Sequence, residues 1–215
     1  MNKISSSIAI ALAVAGIAAG CANVQRSRTL NDPAVPPQST AREVCSNCHG
    51  VDGNSVSPNF PRLAGQQEAY IVEQLTAFRS HSRTDPPGFE YMWGLSRHLT
   101  DGQIKGLAAY FSAQKPVPDA PGEAVLAARG KDIFEHGVPS KNIPPCGSCH
   151  GQQGEGAGTF PRIAYQHADY ALKQLLVFQR TDERPQGALM KTVVHLLTHQ
   201  DMEAVAAYLQ AFSAK

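Results

Sequence analysis

Cys45, Cys48 and His49 stand in "VCSNCHG", and Cys146, Cys149 and His150 stand in "PPCGSCHG", so the chain sets two thiols and an imidazole in the same order twice. The pattern C-x-x-C-H is the attachment signature of c-type haem. Two thiols on one helical turn reach the two vinyl groups, and the adjacent histidine is held where its ring can ligate iron. A thioredoxin-like redox pair and half of a zinc site share the C-x-x-C core, and either competes with haem for an isolated copy. The second copy argues for haem, because the similarity extends far beyond the motif.

"NFPRLAGQQEAYIVEQLTAF" from Asn59 matches "TFPRIAYQHADYALKQLLVF" from Thr159, and "MWGLSRHLTDGQIKGLAAYF" from Met92 matches "MKTVVHLLTHQDMEAVAAYL" from Met190. The chain is therefore two copies of one unit. Between them "KPVPDAPGE", Lys115 to Glu123, carries three prolines and a glycine and reads as a linker. This divides the chain into a signal peptide (1–20), a polar tether (21–38), an N-terminal domain (39–114), a linker (115–122) and a C-terminal domain (123–215).

The elements that must position the motifs follow in the same order in each copy. A glycine-containing loop is followed by a helix whose apolar residues recur at three and four: Tyr70, Ile71, Leu75 and Phe78, then Tyr170, Leu172, Leu175 and Phe178. An irregular segment ends at the methionine, which is thus expected on a loop. The last helix starts at Thr100 with Gln103 completing a capping box, and at Thr198 with Asp201 as the shorter equivalent. Its buried faces are Ile104, Leu107, Ala108 and Phe111, and Met202, Val205, Ala206 and Leu209. No strand of convincing length is present, so the expected fold is all-α.

Composition narrows the function. Of 215 residues 42% are hydrophobic and 17% charged, with a formal net charge of +1. Without a basic run, no nucleic-acid partner is expected. The apolar run Ile8 to Ala19 follows Lys3, is too short to span a bilayer and reads as a secretory signal, which implies export. "AAGC" resembles a bacterial lipoprotein box in which Cys21 becomes the lipidated first residue and anchors the chain to a membrane. The alternative is ordinary cleavage nearby.

The iron's second axial ligand decides the chemistry. Met1 lies in the signal and Met202 inside the last helix, whereas Met92 and Met190 occupy the same repeat position. That register makes them the expected ligands, with His49 and Met92 on one iron and His150 and Met190 on the other. The remaining histidines do not pair between the copies, which makes bis-histidine ligation the weaker alternative.

The whole mature chain resembles the dihaem cytochromes c4, through both C-x-x-C-H motifs, the two "FPR" segments, Met92 and Met190, and the "LAAYF" and "VAAYL" helices. The stretch "HSRTDPPGFEYMW" is similar to members found in acidophilic iron oxidisers. The resemblance implies two tandem class I cytochrome c domains about a pseudo-twofold axis, two covalently bound haem c groups with propionates close across the interface, and electron transport without catalysis. It also implies that the carbonyls of Pro61 and Pro161 orient the proximal imidazoles and that Arg62 and Arg162 partner the propionates. Expected partners are a cytochrome c oxidase as acceptor, and a quinol-oxidising complex, a copper protein or another cytochrome as donor, all in the periplasm. The rival readings are an electron-accepting subunit of a dehydrogenase complex and a dihaem peroxidase. Glu90 near Met92, against Ala188 and Lys191 near Met190, gives the N-terminal haem the lower expected potential.

Overall fold

The structure, a computed structural model, describes residues 29–86, 88–120 and 122–212. The expected signal peptide and Cys21 lie outside the described residues. Among those residues the chain is helical, and the only pairings of strand type are the isolated bridges Val138–Ile143 and Ala157–Phe160.

In the first half, α1 (Pro37–Thr40) runs through a π-helical turn (Ala41–Cys45) into α2 (Ser46–His49). Proline at the first helical position costs no hydrogen bond, because that N–H would be unsatisfied anyway. Then come α3 (Glu68–Arg79), α4 (Gly88–Ser96) and α5 (Asp101–Ser112). The second half has α6 (Ala124–His136), α7 (Gly147–His150), α8 (Ala168–Arg180), α9 (Ala188–Val194) and α10 (His199–Gln210). Both expected capping boxes are complete: Thr100 with Gln103 opens α5, and Thr198 with Asp201 opens α10.

Each half has its own core. Ile71, Leu99, Ile104, Leu107, Ala108 and Phe111 form one, and Ile133, Phe134, Val194, Met202, Val205, Ala206 and Leu209 belong to the other. The faces read from α5 and α10 are thus the buried ones. The face of α3 differs from expectation, because Gln74 is buried beside Ile71 and Phe78 while Leu75 is half-buried; on α8, Gln174 is buried beside Ala171. A polar side chain is buried at these positions because partners from the other half await it there.

Residues 29–38 are not a free tether. Val35 is buried, Leu30 packs against the first core and the Asp32 carbonyl accepts from Gln103 Nε2 at 3.2 Å. The reason is a helix crossing: Gly106 on α5 has no side chain, and Pro37 fills the space. In the second half the glycine is on the partner helix. Gly130 of α6 lies so close to α10 that a Cβ there would sit 1.9 Å from the Ala204 carbonyl oxygen.

The linker is tied down at both ends. Val117 N–H donates to Asn54 Oδ1 and Asp119 pairs with Arg62, while Asp119 N–H reaches the Gln210 carbonyl and Gln210 Nε2 the Ala120 carbonyl.

Candidate functional site

The two motifs sit at the ends of short helices that glycine terminates. Gly50 and Gly151 adopt φ of +79° and +83°, so the chain leaves the helix immediately after each histidine, at little cost only for a residue without a side chain. The π-helical turn ends on Cys45; such turns widen a helix locally and gather at functional sites.

His49 and His150 are buried, and each ring is held by one bond. His49 Nδ1–H donates to the Pro61 carbonyl and His150 Nδ1–H to the Pro161 carbonyl, both at 2.9 Å. This fixes the tautomer and leaves Nε2 as the nitrogen that can bind iron. Burial pushes both imidazoles below their usual pKa against the opposing carbonyl bond, so they stay neutral, as ligation requires. Burial likewise pushes the Cys45 thiol up to about 12 and the Cys146 thiol to about 11. Among the described residues no group of three or more His, Cys, Asp or Glu side chains is placed to hold a metal ion, so neither motif is completed into a zinc site.

Met92 and Met190 lie within α4 and α9 and not on loops. The irregular segment ends earlier than expected, at Gly88 in the first half and, through a single 3-10 turn (Pro185–Gly187), at Ala188 in the second. Both methionines are half-buried, and Met190 packs against the second core.

Arg62 is engaged by protein on all three nitrogens: Nε donates to the Ser55 carbonyl, Nη1 to the Val117 carbonyl at 2.6 Å, and Nη2 pairs with Asp119 at 3.0 Å. Arg162 lies 5.0 Å over the Tyr165 ring. The buried arginines are elsewhere. Arg83 pairs with Asp85 and donates to Gln74 Oε1, while Arg184 donates to Gln174 Oε1, Gln74 Oε1 and the Tyr70 hydroxyl. Tyr170 faces Arg83 across the interface at 3.5 Å. Tyr70 and Tyr170, expected to serve helix packing, thus point their hydroxyls into a shared polar cluster. It holds two guanidiniums and one carboxylate, and Arg184 Nε is buried with no hydrogen-bond partner among the described residues. A carboxylate at the interface would satisfy that N–H and balance the second positive charge. Haem carries two carboxylates, so the donor set fits it. Sequence reading missed this cluster; its available signal was a glutamine repeated in register, Gln74 and Gln174, on otherwise apolar helix faces.

The halves are related by reciprocal contacts. Arg62 N–H donates to Gln166 Oε1 and Gln166 Nε2 to the Arg62 carbonyl, while Arg162 N–H donates to Gln66 Oε1 and Gln66 Nε2 to the Arg162 carbonyl. Each bond is matched by its symmetry mate, which is a pseudo-twofold relation between two like domains.

Comparison with known proteins agrees with this architecture. The family model described as cytochrome c matches residues 38–115 and again 127–213. The cytochrome c4 of Stutzerimonas stutzeri is 36% identical over 98% of this chain and 99% of its own. The chain belongs to the cytochrome c4 family. A crystal structure of the Acidithiobacillus ferrooxidans cytochrome c4 superposes with a TM-score of 0.71 at 41% identity, covering 78% of this chain and 98% of that one. A thiosulfate dehydrogenase electron acceptor from Stutzerimonas stutzeri strain A1501 is 34% identical over 78% of each chain. Members of the c4 family carry electrons on two covalently bound haem c groups, and the two C-x-x-C-H motifs are the means of attachment.

Proposed function

We propose that this c4-family chain is a periplasmic carrier taking electrons from a quinol-oxidising complex or a periplasmic redox protein and delivering them to a terminal oxidase. The observation that carries this reading is the equivalence of the two sites. Each proximal histidine is held by a proline carbonyl at the same 2.9 Å, and each repeat offers a methionine at the same register. Thioether coordination would favour ferrous iron and raise the potential, and iron held by a histidine and a methionine would supply one-electron exchange with no position for a substrate. The protein's part would be to fix the ligands: Cys45, Cys48, His49 and Met92 would hold the first haem, and Cys146, Cys149, His150 and Met190 the second. A dihaem peroxidase would need one site built differently.

The test is an absorption spectrum of the reduced protein before and after carbon monoxide. Unchanged low-spin bands from both haems are expected; a shift in either would return the peroxidase reading. The relative named as a thiosulfate dehydrogenase electron acceptor supports a second reading, a fixed subunit of a dehydrogenase. Stoichiometric co-purification with an enzyme separates that from a mobile carrier. Retention by the membrane in a form released when Cys21 is replaced by Ser would support the lipid anchor.

A further inference from the structure

The two halves do more than touch at Gln66 and Gln166, because of which peptide group each glutamine engages. The carbonyl of Pro61 and the N–H of Arg62 belong to one planar peptide unit. The carbonyl accepts from His49 Nδ1–H at 2.9 Å, and the N–H donates to Gln166 Oε1, across the domain interface, at 2.8 Å. In the other direction, the Pro161 carbonyl accepts from His150 Nδ1–H at 2.9 Å while the Arg162 N–H donates to Gln66 Oε1 at 2.7 Å. Each histidine thus heads a chain of two bonds that ends on the opposite domain.

Such chains polarise along their length. An N–H engaged by an acceptor makes its own carbonyl a stronger acceptor, and in a dry setting the effect is felt at the far end. The setting is dry at Gln66, which is 6% exposed, and partly so at Gln166, which is half-buried. The second amide bond, from Nε2 to the arginine carbonyl at 2.9 and 3.0 Å, prevents the glutamine from turning away. Each Oε1 also accepts from the N–H of the residue that follows it, Gln67 or His167, which anchors the amide to the start of α3 or α8.

We propose that Gln66 and Gln166 are positioning residues acting in trans: each tunes the proximal histidine of the other domain by polarising the peptide that holds it. A stronger acceptor at Nδ1 gives the imidazole more anionic character, which favours ferric iron and lowers the potential of that haem. The inference rests on the reading of His49 and His150 as iron ligands. Interdomain contact then becomes part of the redox setting, and separation of the domains, which breaks both chains at once, raises both potentials together.

The experiment is made on the reduced, haem-loaded protein labelled with nitrogen-15 histidine. The Nδ1–H signals of His49 and His150 are assigned through Gly50 and Gly151, and their solvent exchange is followed in the Gln166→Leu and Gln66→Leu variants. In Gln166→Leu the His49 proton is expected to exchange about tenfold faster while the His150 proton is unchanged, and Gln66→Leu gives the reverse. The potential of the haem in the opposite domain rises in each case. The Gln166→Glu variant keeps an acceptor for the Arg62 N–H while replacing the donor to the Arg62 carbonyl by a charged carboxylate oxygen, so it should retain slow exchange at His49. It also serves if the leucine variant fails to fold. Changes confined to the same domain as the substitution, equal changes in both, or none would overturn the proposal. If neither histidine shows an Nδ1–H signal characteristic of an iron-bound ring, the ligand reading itself fails.

Discussion

Arg83 and Asp85 form an ion pair with Nε 2.6 Å from Oδ1, and the carboxylate is 0% exposed. Gln174 of the second domain donates to the same carboxylate at 3.2 Å, so one acidic residue of the first domain anchors a cluster built from both. Removing one member of a buried pair leaves the other charge without compensation, and here Arg184 is a second guanidinium in the same cluster. Asp85→Asn is expected to destabilise the haem-loaded protein by about 3–5 kcal/mol in denaturant unfolding. A loss below about 1 kcal/mol, the range of an exposed pair, would mean that water reaches the cluster.

The same pair sets an acid limit. Burial raises the pKa of Asp85, but its bond to Arg83 and the charges of Arg83 and Arg184 outweigh this and hold the carboxyl below its usual range. Asp201 behaves alike: burial opposes, and Arg129, Thr198 and Lys141 prevail. A depressed native pKa gives stability that is fully present above the unfolded value, about 4, and is lost as pH falls through the native one. Unfolding free energy should therefore hold down to about pH 4 and decline below it. The gap between the wild type and Asp85→Asn should narrow over the same range, and a gap independent of pH would refute the assignment.

Gly130 tests the second helix crossing. An added Cβ meets backbone of α10 as well as the Tyr208 side chain, so the helices must separate. Gly130→Ala should cost about 3 kcal/mol, at the upper end for overpacking, whereas Gly102→Ala on the open face of α5 should be neutral or stabilising. Thermal unfolding followed by circular dichroism compares them. Equal melting temperatures would show that the crossing yields.

Domains below roughly 80 residues seldom supply enough core on their own, and a covalently held haem adds a large apolar element. The chain with Cys45, Cys48, Cys146 and Cys149 all replaced by alanine is expected to remain largely unfolded. A helical circular dichroism spectrum matching that of the haem-loaded protein would show that the side-chain cores suffice.

The sequence made the local elements readable wherever one segment carried the whole signal. Thr100 and Gln103, or Ile104, Leu107 and Phe111, act within a single helix, and their spacing alone states what they do. What depends on two distant segments meeting was not readable. Arg83 and Arg184 look like surface residues in a proline-rich stretch until the domains bring Gln74, Gln174 and Asp85 around them. Arg62, chosen for its place in "FPR", also ties down the linker through Val117 and Asp119, a contact that its own segment does not announce. The charge difference between the copies also weakens in three dimensions. Glu90 is exposed and Lys191 is paired with Asp182 at 2.5 Å, so neither acts on a haem as a bare buried charge. Glu90→Gln should accordingly raise the lower potential only slightly.

Met92 and Met190, the proposed ligands, are the decisive residues to test. Their position on α4 and α9 means that a substitution need not disturb a loop, so spectral changes can be read as changes of coordination. Met92→Ala should open one haem to carbon monoxide and leave the other low-spin, and Met190→Ala should do the same for its partner. Met92→His should keep the first haem low-spin but lower its potential, because imidazole favours ferrous iron less than thioether sulfur does. The comparison separates loss of a ligand from loss of packing: a cavity alone would lower stability in Met92→Ala without admitting carbon monoxide. If both alanine variants keep unaltered spectra and refuse carbon monoxide, another residue completes the coordination and His/Met ligation is wrong.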